Sequence, residues 1–328
     1  MIRDKLFLML VTLLFVAGNN FAQGERKSIN VAKNKIPVGA SVEHFKKFDV
    51  SESRVKVALN AYSFTKSLND YIKGRTRDPM TLFDLIDFCS ANDIEALDAT
   101  GYFFVGYPNV PVDDYIYEVK RYAFRRGVDI AGTGVTNNFA NPDIEARRKD
   151  VERVKDWIDV ASKLGAPVLR IFSGLVPIGY EGRWDEVASW MIPCFKEVAE
   201  YGKSKGVIIG VQNHGDMLAT GEQTVKVLEA VNHPWFGLIL DTGYFHTDNP
   251  YKDMEMCLPY VINWQIKESV KGKENMVPID LKRIMKMGYS GYLSIETLSV
   301  PGRPYDPYTL VPEFIRKVRE AIKNEFNN

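Results

Sequence analysis

The chain has 328 residues, 45% of them hydrophobic, which suits one large α/β domain or two average ones with a sizeable core. Its 42 basic and 42 acidic side chains cancel to a formal net charge of zero, so no global field draws in nucleic acid or an anionic membrane surface. Cys89, Cys194 and Cys257 lack metal-like spacing and fall among apolar neighbours, so they read as buried, inert thiols and not as a disulfide framework.

In chain order, residues 1–22 read as a secretory signal. Arg3 and Lys5 lead into an apolar run from Leu6 to Ala17, and Phe21-Ala22-Gln23 offers a small residue for cleavage. The run is short for a bilayer span, so the expectation is an exported protein, periplasmic or secreted, with no stable membrane anchor after cleavage, the alternative being an uncleaved N-terminal anchor. Residues 23–54 are charged and aperiodic, an N-terminal arm.

Residues 55–322 alternate strand and helix eight times with no break in composition. Strands are expected over 56–64, 94–99, 129–135 and 168–172, then within 207–215, 236–241, 261–267 and 291–296. Several of these runs are rich in Ile, Val and Leu, as strands buried on both faces of a parallel sheet are. Asp78-Pro79 and Asn141-Pro142 each place a cap residue before a proline and predict helix starts. Gly127, Gly165, Gly206 and Gly288 stand where a left-handed helix terminator is expected, and Leu82, Leu85, Ile86 and Cys89 form one apolar helical stripe. The expected fold is α/β, a single (β/α)8 TIM barrel domain.

Connections from helix to strand are very short, whereas those leaving strands are long, which marks the carboxyl ends of the strands as the working face. Four strands end there in polar residues: Gln212, Asp241, Gln265 and Glu296. Aromatic loops follow strands two, four and six, and Tyr102 and Tyr244 are expected against the C–H face of a sugar ring, the alternative being that they pack the loops down. Arg170, at the end of strand four, is expected to contact substrate or pair with a carboxylate, and Asp98 to contact substrate or support a base. Lys267 shares a face with Gln265, two residues away. His214 shares one with Gln212, and serves either as an acid or base near neutral pH or as a hydrogen-bonded residue that orients a loop.

These strand-end residues resemble those of the xylose isomerase-like TIM barrels, the sugar phosphate isomerase and epimerase superfamily. The resemblance rests on Lys163-Leu-Gly-Ala-Pro-Val-Leu-Arg-Ile-Phe-Ser-Gly174, Val211-Gln-Asn-His-Gly215, Leu240-Asp241, Gln265-Ile-Lys267 and Ile295-Glu296. It implies a metal site of Glu, Asp, His and Glu after strands five to eight, and a two-carboxylate proton transfer through an enediolate. Asp241 and Glu296 match. Gln212 stands in place of the first Glu, with Asn213-His214 following as in the family and Asn213 expected at the substrate, and Gln265 stands in place of the His.

With two amide oxygens and two carboxylates, the set Gln212, Asp241, Gln265 and Glu296 favours Mg2+, Mn2+ or Ca2+ over Zn2+. The alternative is that no metal binds and Lys267 or Arg170 supplies the positive charge. The expected function is proton transfer beside the carbonyl of a small-molecule sugar or keto-sugar, with Glu296 as base and His214 and Lys267 as further catalytic candidates. A keto-sugar hydratase or lyase and a non-catalytic carbohydrate-binding barrel are the alternatives. Endonuclease chemistry on nucleic acid, which needs a His-rich zinc cluster, is disfavoured in a chain with four His.

Overall fold

Each strand run pairs in parallel with the next in sequence, and the last returns to the first, so the sheet closes as β1-β2-β3-β4-β5-β6-β7-β8. The strands are β1 Val55–Asn60, β2 Ala96–Thr100, β3 Asp129–Gly134, β4 Val168–Ile171, β5 Ile208–Gln212, β6 Phe236–Asp241, β7 Val261–Lys267 and β8 Gly291–Glu296. This computed structural model describes residues 55–75, 80–273 and 276–326. The expected signal and arm lie outside the described residues, as does Asp78-Pro79. No helix among the described residues is long and apolar enough to cross a membrane.

The outer layer comprises α1 Thr65–Ile72, α2 Leu82–Ala91, α3 Asp113–Arg126, α4 Ile144–Leu164, α5 Trp184–Lys205, α6 Gly221–Val231, α7 Pro250–Cys257, α8 Leu281–Lys286 and α9 Pro307–Phe326. Helix ends follow local chemistry. Gly127, Gly165 and Gly206 cap α3, α4 and α5 in the left-handed region as expected. The starts differ from expectation. Asp143, not Asn141, caps α4, because the Asn141 side chain instead accepts the Asp143 N–H in a turn before the helix. Thr81 and Asp84 form a reciprocal capping box that starts α2.

Strand one also ends sooner than its apolar pattern suggests. Asn60 accepts the N–H of Tyr62 and turns residues 61–64 into a 3-10 helix, which leaves Asn60 on the rim. All three cysteines are free and buried, as expected. The main core lies between sheet and helices. In it Phe195 of α5 packs its ring 5.2 Å from Phe236 of β6 and 5.4 Å from Phe139. Truncating such a fully buried ring to Ala costs about 3–5 kcal/mol.

Inside the barrel, the register stacks the side chains in layers. Ala58 is paired with both Ala96 and Ser294, and one step of alternation further along lie Asn60, Asp98 and Glu296. Small residues thus form the floor beneath the polar ring. At the opposite end Asp129 of β3 accepts from Lys56 of β1 at 3.0 Å and from the Tyr292 hydroxyl of β8 at 2.9 Å.

Candidate active site

Register fixes which functional side chains meet. Lys267 lies directly beside Glu296, and Gln265 beside Asp241, while Gln212 is paired with Ile239, two residues before Asp241 on the same face. The four strand-end residues and Lys267 therefore converge into one hydrogen-bonded chain. Gln212 donates its amide to Asp241 Oδ2 at 2.5 Å, and Gln265 donates to Glu296 Oε2. The Lys267 ammonium bridges the two acids, 2.6 Å from Glu296 Oε1 and 3.4 Å from Asp241 Oδ2. The second oxygen of Asp241 accepts the Gly243 N–H at 2.9 Å.

All five residues are buried. Burial alone would pull the lysine down, but the charges of Asp241 and Glu296 outweigh it and hold the ammonium above the ordinary lysine range. Burial pushes the Asp241 carboxyl up to about 6, a rise that Lys267 opposes and Glu296 reinforces. Two acids share one cation, and Asp241 has the longer contact.

A second set of groups forms an arc around the mouth. The Lys267 ammonium lies 5.3 Å from the centre of the Tyr244 ring, which stacks on His214 at 4.1 Å and 30°. His214 in turn meets Phe172 at 4.9 Å, and the Arg170 guanidinium covers Phe172 at 4.2 Å and Tyr102 at 5.1 Å. Arg170 also donates to the Tyr102 hydroxyl at 2.8 Å and to the Val135 carbonyl at 3.1 Å. It fits there because Gly134 has no side chain: a Cβ at that position would lie 2.8 Å from the guanidinium. Tyr102, Phe172, His214 and Tyr244 are each half-buried.

His214 sits in the middle of this arc as a neutral imidazole. Burial pushes it down to about 3, and the charges of Lys267 and Arg170 add to the shift. It is therefore not an imidazolium acid at neutral pH, and what it offers there is one N–H donor and one ring nitrogen acceptor. Across the barrel, Asp98 accepts from Asn60 at 3.2 Å. Burial raises its carboxyl to about 6, with Arg170 pulling it back and Glu296 pushing it further up. Asp98 is thus a second carboxyl within electrostatic reach of Glu296.

Asn213 differs from expectation. It is fully buried, donates to the Asp241 carbonyl at 2.9 Å and accepts the Asp241 N–H at 2.8 Å, so it fixes the position of Asp241 and does not face a substrate. Asn137 does the same for Phe172, donating to its carbonyl at 2.7 Å and accepting its N–H at 2.8 Å. Asn60, Phe172 and Asn137 are missing from the sequence reading. The reason is that Asn60 lies inside the run 56–64, and Phe172 at the end of the run 168–172, each expected to be continuous strand. A signal existed for Asn137, an Asn pair following a strand, but nothing local shows which backbone it clamps. Tyr62, 45% exposed beside Phe103 at 6.2 Å, completes the rim above β1.

The expected metal ligands do not fit a divalent ion as they stand. A bound ion needs the amide oxygens of Gln212 and Gln265, yet both residues turn their N–H groups to carboxylates; reversing either amide would set oxygen against oxygen. The place between Asp241 and Glu296 is bridged by Lys267. An ion about 4 Å from that ammonium would meet a repulsion of roughly 8 kcal/mol at an effective dielectric near 20. Among the described residues, no group of three or more His, Cys, Asp or Glu gathers in a metal-binding arrangement.

Solved structures with this fold include a D-psicose 3-epimerase with D-tagatose from Clostridium cellulolyticum H10, 15% identical over 81% of this chain and 99% of that one, with a TM-score of 0.62. The 3-keto-D-glucoside 4-epimerase YcjR from E. coli is 10% identical over 81% of this chain and 100% of its own, also at 0.62. The IOLI protein with a bound zinc atom is 16% identical over 83% and 98%, again at 0.62. At these identities the likeness is one of fold. No curated protein matches the chain. The family model for the xylose isomerase-like TIM barrel, however, matches residues 94–318, more than half of the 328, and takes in seven of the eight strands; the chain belongs to that family.

Proposed function

We propose that the chain is an exported sugar isomerase or epimerase-like enzyme that moves a proton beside the carbonyl of a sugar or keto-sugar. The observation that carries this reading is the placing of the Glu296 carboxylate and the Lys267 ammonium, 2.6 Å apart, at the carboxyl ends of adjacent barrel strands. Glu296 takes the proton from the carbon next to the carbonyl. The electron pair left behind forms the enolate, and the negative charge that develops on oxygen is met by the Lys267 ammonium, an electrostatic device that acts most strongly away from water. Return of the proton to the former carbonyl carbon, with the adjoining hydroxyl proton passing to the enolate oxygen, gives isomerisation, and return to the same carbon on its opposite face gives epimerisation.

The half-buried rings of Tyr102, Phe172 and Tyr244 suit the C–H faces of a sugar ring, with the neutral His214 and Arg170 as hydrogen-bond partners for its hydroxyls. Sugars named with two fold neighbours, D-tagatose and a 3-keto-D-glucoside, agree with a keto-sugar substrate. Export rests on the charged, apolar and small-residue order of residues 1–22.

A carbohydrate-binding barrel without turnover is the second reading, favoured by one observation: an amide, Gln212, stands where the family has its other carboxylate. Incubating the protein with a panel of keto-sugars in D2O separates the two. Deuterium beside the carbonyl of a bound sugar supports the enzyme, whereas binding without exchange across the panel supports the binding protein.

A further inference from the structure

We infer that Lys267 is the resident cation of this centre, and that the replacements at Gln212 and Gln265 belong with it as one arrangement that works without a divalent metal. The inference deepens the reading of the strand-end ring as the functional centre, and rests on that reading.

The geometry accounts for every polar contact between the two acids. Asp241 receives one amide N–H from Gln212, one backbone N–H from Gly243 and the ammonium. Glu296 receives one amide N–H from Gln265 and the same ammonium. A metal ligand must offer a lone pair, whereas here both side chains in the family's ligand positions offer hydrogens instead. A Glu at position 212 would set a second carboxylate against Asp241 at 2.5 Å, tolerable with a dication between them and costly with a single ammonium. A protonated His at 265 would add a second cation beside Lys267. The neutral amides satisfy the carboxylates without altering a balance that one lysine already sets.

Lys267 is also built in and does not reach the centre by chance. The residue is 1% exposed, the Thr242 hydroxyl accepts its backbone N–H at 2.9 Å, and the Tyr244 ring lies over its ammonium. Gly243 leaves space for the stem, since a Cβ there would come within 2.9 Å of the lysine Cδ.

Titration of the metal-stripped full chain with Mn2+, following the free-ion signal by electron paramagnetic resonance, tests this without reference to turnover. Wild type should take up no stoichiometric Mn2+. The triple variant Gln212→Glu, Gln265→His, Lys267→Met should gain one site. The double variant Gln212→Glu, Gln265→His, which keeps the lysine, should bind at least about tenfold more weakly than the triple. One equivalent of Mn2+ on wild type, lost in Asp241→Asn, would overturn the inference, as would a double variant that binds as tightly as the triple. Should the triple variant fail to fold, the wild-type titration still decides. A wild type that takes no Mn2+ and also exchanges no hydrogen on any sugar would support this inference while ending the catalytic reading.

Discussion

The ammonium of Lys267 lies 2.6 Å from Oε1 of Glu296 and 3.4 Å from Oδ2 of Asp241, with all three side chains withdrawn from solvent. Two buried acids depend on that one cation. Breaking such a pair by removing one partner costs about 3–5 kcal/mol, so Lys267→Met should lower unfolding free energy by that much in urea titrations at neutral pH. The loss should shrink toward pH 5, where the Asp241 carboxyl, already raised to about 6, takes up a proton. A loss below about 1 kcal/mol at neutral pH would mean that the bridge is not formed.

Asp98 gives a stability change of opposite sign. Its folded-state value is raised to about 6 from an ordinary value of 3.8, chiefly by burial. The folded protein therefore holds this proton more tightly than the unfolded chain does, and stability drains away as pH rises through 6. Asp98→Asn removes the buried charge and should stabilise the fold by about 1–3 kcal/mol at pH 8, with the gain vanishing near pH 4. Thermal unfolding at the two pH values reads this directly.

His214 should not titrate in the physiological range. With its value pushed down to about 3, its ring resonances should show no midpoint between pH 5 and pH 8 in a nuclear magnetic resonance titration of the wild type against His214→Gln. The sign again follows from linkage. Holding this imidazole neutral costs stability only as pH falls below 6.5 toward 3, so it favours the fold at neutral pH relative to acid. A midpoint near 6.5 would place the ring in water and dissolve the stack between Phe172 and Tyr244.

Gly134→Ala tests the seat of Arg170. The new Cβ would fall 2.8 Å from the guanidinium, so the arginine must leave its place over Phe172. Overpacking of this kind costs about 1–3 kcal/mol, and sugar affinity should fall with it if Arg170 holds a hydroxyl. Calorimetric titration with a bound keto-sugar measures the second effect, and unchanged affinity would take Arg170 out of the sugar site.

Much of this centre was legible in the sequence because parallel strands buried on both faces are apolar until they end. A polar residue closing such a run, as at Asp241 or Glu296, marks the rim. The pairing of Gln265 and Lys267 on one face followed from the two-residue period alone. Other features carry no local signal. Asn213 and Asn137 each clamp a backbone 28 or 35 residues away, and partners at that distance are set by the closed sheet. The amide orientations of Gln212 and Gln265 are likewise set by their neighbours: read alone, each offers an oxygen as readily as an N–H, so the sequence by itself does not choose between the metal set and its lysine alternative. Asn60 was hidden by Phe64, whose apolar character prolonged the strand pattern through a 3-10 turn.

The central claim is that Glu296 takes a proton from carbon, and comparing wild type with Glu296→Gln in D2O, across one keto-sugar panel, tests it most directly. The substitution preserves shape and reach, so the variant should fold and bind the same sugars within a few-fold, while deuterium incorporation beside the carbonyl falls by about 10²- to 10⁴-fold, the usual contribution of a positioned general base. If wild type exchanges no hydrogen with any sugar it binds, and the variant binds those sugars just as well, Glu296 is not a base and the barrel is a binding protein.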